Sequence, residues 1–403
     1  MRNRGFDLAP LEKFIELDNR WRALVDESNR LKARRNQCAQ EIPKLSKEEK
    51  EKMIAEMRQI SERIQQLDGE QKAIEAQRDE ILQNIPNVPH TSVPVGSSDA
   101  DNLIVRYWGE QRKFDFKPLP HWELGERLDI IDFERGTKIA ASGFYVLKGM
   151  GARLERALIN FMLDLHLKQG YKEIFPTVVI NRQSCFGTGQ LPRMKEDMYH
   201  IEADDLFLNP TAEVPVTNLH ANEILSKEQL PILYDAYLPS FRREAGRHIE
   251  TKGIGRVHQF NKVELVKFVL PETSMEHLES LLANAEEVVQ LLGLPYRVKL
   301  LCTGDLGFHS AKTYDIEAYA PAMDQWLEVS SCSNFLDFQA WRAMIKFRRA
   351  PHLKSEFVHT LNGSGIALPR TMISVIENYQ TRDGAIEVPA VLRHYMGGVE
   401  RIE

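Results

Sequence analysis

From about residue 11 to residue 85 the apolar positions recur at alternating steps of three and four. Phe14, Leu17, Trp21, Leu24, Ser28, Leu31, Arg35, Cys38, Ile42 and Leu45 make one heptad seam, and only Ser28 and Arg35 break its apolar stripe. A second seam keeps the same rhythm through Met53, Met57, Ile60, Ile64, Leu67, Gln71, Ile74, Arg78, Ile81 and Ile85. Each predicted helix therefore has one sticky side. Pro43 to Ser46 makes a turn between them, and Ser46 with Glu49 has the spacing of a capping box. The pattern predicts an antiparallel coiled-coil hairpin. At the helical rise per residue its first helix would reach roughly 45 to 50 Å, so the hairpin is expected to project from any compact body.

Residues 86–102 form a Pro/Ser/Gly-rich connector that cannot continue a helix. The expected organisation is an arm over 1–85, this linker, and a body over 103–403. In the body, Leu154, Ala157, Leu158, Phe161, Met162 and Leu165 give helical periodicity from Gly151 to Lys168, followed by a strand from Tyr171 to Phe175. Hairpin patterns near 241–265 and 315–335, with helices around them, predict an α+β fold. Its sheet is mainly antiparallel with flanking helices, not doubly wound and parallel.

The length of 403 residues allows more than one domain. A net charge of −6 argues against a uniformly basic nucleic-acid coat but permits a local basic stripe. The arm has candidates for one in Arg20, Arg22, Arg30, Lys32, Arg34 and Arg35, which suit a phosphate backbone or simply solvate the arm and pair with nearby acids. Cys38, Cys185, Cys302 and Cys332 are scattered with no Cys-x-x-Cys pair, so no disulfide framework and no zinc site are expected. The first residues lack the apolar core of a secretory signal, and no segment is long and apolar enough for a bilayer. A cytoplasmic protein is expected. P-loop and dinucleotide-binding patterns are missing, so any ATP site is of another kind.

The richest chemistry lies in Phe241-Arg-Arg-Glu-Ala-Gly246 and His258-Gln-Phe-Asn-Lys-Val-Glu264, two extended runs around a basic, glycine-punctuated loop. Strand alternation groups Arg242 with Glu244, and Phe260 with Lys262 and Glu264. Such a surface suits a nucleoside triphosphate: a guanidinium grips phosphate, a ring stacks on a base, and carboxylates hold an ammonium or a metal. The alternative is a hairpin whose charges face solvent.

Together these features resemble the class II aminoacyl-tRNA synthetases, and among them the seryl-tRNA synthetase family, over almost the whole chain. The hairpin is similar to that family's tRNA-binding arm. Gly151 through Pro176 resembles the first class II motif and 241–264 the second. Gly363-Ser-Gly-Ile-Ala-Leu-Pro-Arg370, leading into a helix Thr371 to Gln380, resembles the third. Gly187-Thr-Gly-Gln-Leu-Pro192, Asn209-Pro-Thr-Ala-Glu-Val-Pro215, Ala311-Lys-Thr-Tyr-Asp315 and Glu328-Val-Ser-Ser-Cys-Ser-Asn334 are more specific still.

The resemblance implies that serine attacks the α-phosphate of ATP, giving seryl-adenylate, and that the seryl group then passes to tRNA(Ser). Whether tRNA(Sec) is also an acceptor stays open. By the same resemblance Arg242 bridges the serine carboxylate and the α-phosphate, Arg370 holds the γ-phosphate end, and Arg256 the phosphates between. Phe260 stacks on adenine, with Arg243, Glu244, Val257, Val329 and Ser330 completing the ATP site. Glu328 and Ser331 hold Mg2+ on the phosphates, and because alternation puts them on opposite faces, a bulge or twist is expected between them. Thr211, Ala212 and Glu213 surround the serine ammonium, while Glu264, Ser364 and Asn362 read the rest of serine.

Plainer readings stand beside these. Thr211 and Ser364 could be turn-capping hydroxyls, Glu264 could pair with Lys262 or Lys267, and Cys332 reads as a packed thiol. His248 and His258 earn no catalytic role. Three departures from the family pattern stand out: the chain starts near the arm without the small helical segment that usually precedes it, the loop Gly246 to Gly255 looks short, and Leu368-Pro369 replaces a glycine-containing approach to Arg370. Pro369 is expected to stiffen that approach. A homodimer is implied, with Gly151 to Pro176 at the contact and one subunit's arm reaching tRNA at the other's active site. Rival readings are a silent paralogue that binds RNA or protein, and a ligase acting on a carrier protein.

Overall fold

The computed structural model describes residues 1–245 and 253–403, so His248 and most of the short-looking loop lie outside the described residues. The chain divides into two compact units, Met1–Pro86 and Asn87–Glu403.

In the first unit the two seams form helices α1, Ala9–Glu41, and α2, Lys47–Gln83, packed against each other. Leu17, Leu24 and Cys38 of α1 and Ile60, Ile64, Leu67 and Ile74 of α2 are buried along the seam. Polar seam positions meet partners across the seam or along it. Ser28 donates to Asp68 at 3.2 Å, and Gln71 donates to the Leu24 carbonyl at 3.1 Å. The Arg78 guanidinium lies 4.5 Å above the Trp21 ring and 3.2 Å from Asp18. The chain reverses through a 3-10 turn, Ile42–Lys44, and Ser46 and Glu49 form the capping box that starts α2.

Most of the arm cations pair with nearby acids, as the plainer reading of their sequence had it. Arg20 pairs with Glu70, Arg22 with Asp18, Lys32 with Asp68 and Arg34 with Glu56, whereas Arg30 and Arg35 make no ion pair among the described residues. Arg22 pairs within α1 at i,i+4 spacing, while Arg20, Lys32 and Arg34 reach acids that the packing of α2 brings across. Exposed pairs of this kind hold by only about 0–1 kcal/mol, so a phosphate can still displace them.

In the second unit the principal sheet has strands β1 Leu103–Trp108, β2 Lys172–Glu173, β3 Ile232–Phe241, β4 Gln259–Val269, β5 Tyr296–Leu300, β6 Lys312–Ala320, β7 Gln325–Leu336 and β8 His359–Ala367. Their order is β1-β5-β6-β7-β8-β4-β3-β2, antiparallel throughout except where β2 runs parallel to β3. The predicted strand Tyr171 to Phe175 shrinks to β2, since it pairs on one side only. Helices α3 Gly149–Lys168, α4 Ser274–Leu291 and α5 Leu368–Asn378 cover one face, where Leu158, Leu281 and Ile373 meet Val263, Leu265 and Ile316 in one core. The opposite face carries the polar residues considered below.

Two local readings gain structural detail. The 86–102 stretch is a strap tied to its own unit: Asn87 donates to the Phe308, His309 and Phe335 carbonyls, and Thr303 donates to the Pro94 carbonyl. Pro369 also does more than stiffen an approach, because α5 starts at Leu368 and Pro369 sits in its first turn. There the missing N–H has no intrahelical partner to lose.

Candidate active site

β3 ends at Phe241, so Arg242 and Glu244 do not share a face by strand alternation. Pairing persists one residue further, with Arg242 donating from its backbone to the His258 carbonyl at 2.9 Å, and Glu244 then turns the chain at φ 49°. That left-handed turn is what brings both side chains into one cleft, which Arg256, Val257, Phe260, Lys262, Glu328 and Arg370 also line. The Arg242 guanidinium lies over the Phe260 ring and donates to the Pro210 carbonyl. Burial lowers the Arg242 pKa, and the nearby carboxylates of Glu244, Glu328 and Glu264 oppose the effect. Arg256 pairs with Glu244 at 3.1 Å. Arg370 donates to the Glu328 carbonyl at 2.8 Å and to the Gly255 carbonyl at 3.3 Å, and its guanidinium lies 3.5 Å from the Glu328 carboxylate. Two expected ATP contacts look elsewhere. The Arg243 side chain donates to the Glu196 carbonyl, and the Ser330 hydroxyl is buried against the Ser364 carbonyl at 2.6 Å.

A bulge separates Glu328 from Ser331. Glu328 faces Glu317 while Ser330 faces Ile316, so Val329 is the extra residue. Ser331 faces Asp315, and Asp315 and Glu317 share a face of β6, so the bulge brings Glu328 and Ser331 to the same side. Asp315 itself is raised well above the carboxylate range by burial and then by Glu328, with a Ser331 hydrogen bond opposing.

Beside the cleft, on the same face of β4 and β8, Glu264 is fully buried and surrounded by donors. Thr211 donates at 2.6 Å, Asn362 at 2.9 Å and Ser364 at 3.4 Å, and the Lys262 ammonium is in direct contact. The pairing with Lys262 is therefore internal and not a surface ion pair. Glu213 lies behind this group, its carboxylate accepting from Gln339 at 2.6 Å. Burial, and then the negative charge of Glu264, pushes Glu213 up to about 7. Ala212 is buried next to it. Among the described residues no group of three or more His, Cys, Asp or Glu is arranged to hold a metal, and Cys332 is a buried thiol pushed up to about 12.

Comparison with known proteins decides what this arrangement is. Residues 1–89 match the seryl-tRNA synthetase N-terminal domain, and residues 198–379 match the tRNA synthetase class II core domain (G, H, P, S and T). The serine–tRNA ligase of Listeria welshimeri is 55% identical over 407 aligned positions, covering 100% of this chain and 95% of that protein. The chain belongs to the seryl-tRNA synthetase family. Among solved structures, the seryl-tRNA synthetase of Pyrococcus horikoshii complexed with ATP is 39% identical with a TM-score of 0.92, covering 97% of this chain and 92% of that one. The cytoplasmic serine–tRNA ligase of Naegleria fowleri in complex with AMP is 33% identical with a TM-score of 0.90, covering 100% and 94%.

Within this seryl-tRNA synthetase fold the sequence left several site residues unread. Lys262 was visible by alternation with Glu264 but was given no role. His121 and Glu377 gave no signal, being 256 residues apart. The buried His121 ring meets Glu377 through Nδ1 at 3.0 Å, and its Nε2 accepts the Ile254 N–H at 3.1 Å. Because a backbone N–H points at Nε2, the ring is the neutral tautomer with its proton on Nδ1. Glu377 also accepts from the backbone N–H groups of Ala322 and Met323. The segment that carries Gly255, Arg256 and Val257 is thereby anchored to α5, the helix that carries Arg370. Among the described residues no helix is long and apolar enough to cross a membrane.

Proposed function

We infer that this chain is an ATP-dependent serine–tRNA ligase, which forms seryl-adenylate and then transfers the seryl group to tRNA(Ser). The observation that carries this reading is the convergence of Arg242, Arg256, Arg370 and Phe260 on one cleft beside the enclosed Glu264, in a chain of this family. Serine carboxylate and α-phosphate repel each other, and a cation fixed before reaction relieves that repulsion while enforcing in-line approach. Arg242 suits this work because Phe260 and the Pro210 carbonyl hold its guanidinium in place. Arg256 and Arg370 take the remaining phosphates and stabilise pyrophosphate as it leaves. Phe260 supports adenine, and Glu244 and the Val257 backbone flank it.

Serine is selected through its hydroxyl and ammonium. Glu264 accepts the hydroxyl proton, with Ser364 and Asn362 beside it. Alanine brings no hydroxyl to that carboxylate and so forgoes one hydrogen bond to a charged group, worth about 1.5–3 kcal/mol. Thr211, Ala212 and Glu213 receive the ammonium. For Mg2+, Glu328 and Ser331 offer two oxygens on one side of the Val329 bulge, and phosphate and water oxygens would complete the shell of a hard cation. Bound there, Mg2+ would neutralise charge on the phosphates.

The arm over 1–85 serves tRNA, with Arg30 and Arg35 the two of its six candidate cations that make no ion pair among the described residues. A homodimer through Gly151 to Pro176 is supported by Phe175, 79% exposed beside the short edge strand β2. Four free, buried cysteines support a reducing, cytoplasmic setting.

Pyrophosphate exchange across serine, threonine, alanine and cysteine tests the reading, with strong exchange expected for serine alone. Exchange driven equally by alanine would remove the role given to Glu264. Sedimentation tests the dimer, and a fully active monomer would end that part.

A further inference from the structure

We propose that Gln339 is a positioning residue for serine binding, holding the Glu213 carboxylate, as an anion, in place for the serine ammonium. The inference rests on the reading of Glu213 as an ammonium ligand. Gln339 lies in the short helix Phe338–Ala343, just past the Glu328 to Asn334 motif but in none of the motifs read in the sequence, and is fully buried. Its carboxamide is clamped at both ends. Nε2 donates to the Glu213 carboxylate at 2.6 Å and to the Thr188 carbonyl at 3.4 Å, while Oε1 accepts from the Thr360 hydroxyl at 2.8 Å. A carbonyl can only accept, so Thr188 fixes which end of the amide is nitrogen. The amide is therefore set to give Glu213 a donor and nothing else.

Glu213 needs that donor. Its carboxylate is buried and feels the like charge of Glu264, with Lys262 and Arg242 the nearby cations. Lys262 is already in contact with Glu264 and Arg242 lies over Phe260, so neither is dedicated to Glu213. A buried carboxylate beside another loses its charge unless a hydrogen bond favours the ionised form. A protonated Glu213 would be a poor partner for an ammonium group. The arrangement also gives work to Gly187-Thr-Gly-Gln-Leu-Pro192, since the Thr188 carbonyl orients the amide and the Thr188 hydroxyl is held by Gln190.

The test is serine-dependent pyrophosphate exchange by the full chain carrying Gln339→Leu, between about pH 6 and pH 9. Serine KM is expected to rise about 10- to 100-fold at neutral pH, the worth of a hydrogen bond to a charged group, with ATP KM within about twofold of wild type. The pH at which serine KM begins to climb should move up by about one unit or more. Thr360→Val, which frees the other end of the amide, should shift the same profile less, and it carries the test if Gln339→Leu does not fold. An unchanged serine KM and pH profile in the folded variant would overturn the proposal. So would serine and ATP KM rising together with no shift in pH. Glu213→Gln separates the two readings: wild-type serine KM in that variant removes Glu213 from the ammonium site altogether. Lost serine binding there, with an unmoved Gln339→Leu profile, removes only Gln339.

Discussion

The guanidinium carbon of Arg242 lies 5.1 Å from the centroid of the Phe260 ring, while its Nε donates to the Pro210 carbonyl at 3.2 Å. The cation proposed to draw two anions together is thus held by a ring and a carbonyl before any substrate arrives. Arg242→Ala is expected to lower serine-dependent pyrophosphate exchange at saturating substrates by about 10³-fold, as for loss of one preorganised donor. Exchange within tenfold of wild type would remove Arg242 from the chemical step.

Phe260→Ala should act on the nucleotide. Loss of one base–aromatic stack is worth about 1–3 kcal/mol, or about 5- to 150-fold in ATP KM. Serine KM should hardly move, and a rise in both would show that the ring chiefly supports Arg242.

The arm can be shortened where its helices meet. Arg78 stacks on Trp21 and pairs with Asp18, so residues near 20 and 78 lie side by side. Removing residues 21–77 and joining the ends should leave serine activation intact and abolish tRNA charging. Undiminished charging by the truncated protein would separate the arm from tRNA binding.

His121→Phe leaves the Ile254 N–H without its acceptor, while Glu377 loses the ring donor and keeps the backbone N–H of residue 121. Unsatisfied buried groups cost about 1–3 kcal/mol each, so thermal unfolding should come at a lower temperature. ATP KM should rise more than serine KM, since the anchored segment carries Arg256 and Val257. A variant with lowered stability but unaltered ATP KM would confine His121 to packing.

Asp235 predicts a pH dependence. It is buried on β3 opposite Glu173, and its carboxylate oxygens receive no hydrogen bond from another residue among the described residues. Burial, and then the charge of Glu173, pushes it up to about 7. The folded state holds this proton where the unfolded chain releases it, so the stability linked to Asp235 is full at acid pH and is lost as pH rises through about 7. Asp235→Asn should raise the Tm at pH 8 and change it little at about pH 4, where the carboxylate titrates in the unfolded chain. An equal effect at both would show that Asp235 does not titrate in the folded protein.

The arm was legible almost residue by residue, since a heptad seam is a local pattern and each helix sees one neighbour. The bulge between Glu328 and Ser331 was also legible, because their roles demanded one face while alternation put them on two. The turn at Glu244 was not: strand alternation carried on past Phe241, and nothing local announces a left-handed residue there. Gln339 and His121 were invisible because their partners come from distant strands and helices. Arg243 and Ser330 were assigned to ATP by their motif, yet neighbouring carbonyls capture their side chains.

By itself the sequence determined the family, the two-helix arm, the mainly antiparallel body and the identity of the charged residues proposed to meet ATP and serine. Those follow from periodicity and from side-chain chemistry, which act over a few residues. Only the tertiary structure decided how those groups are set: which carboxylate each donor satisfies, and that Glu213 sits buried beside Glu264. It also decided that one histidine ties the ATP-side segment to the helix of Arg370. Burial and hydrogen-bond partnership are properties of atoms brought together across the chain, and they control charge and orientation more than residue type does.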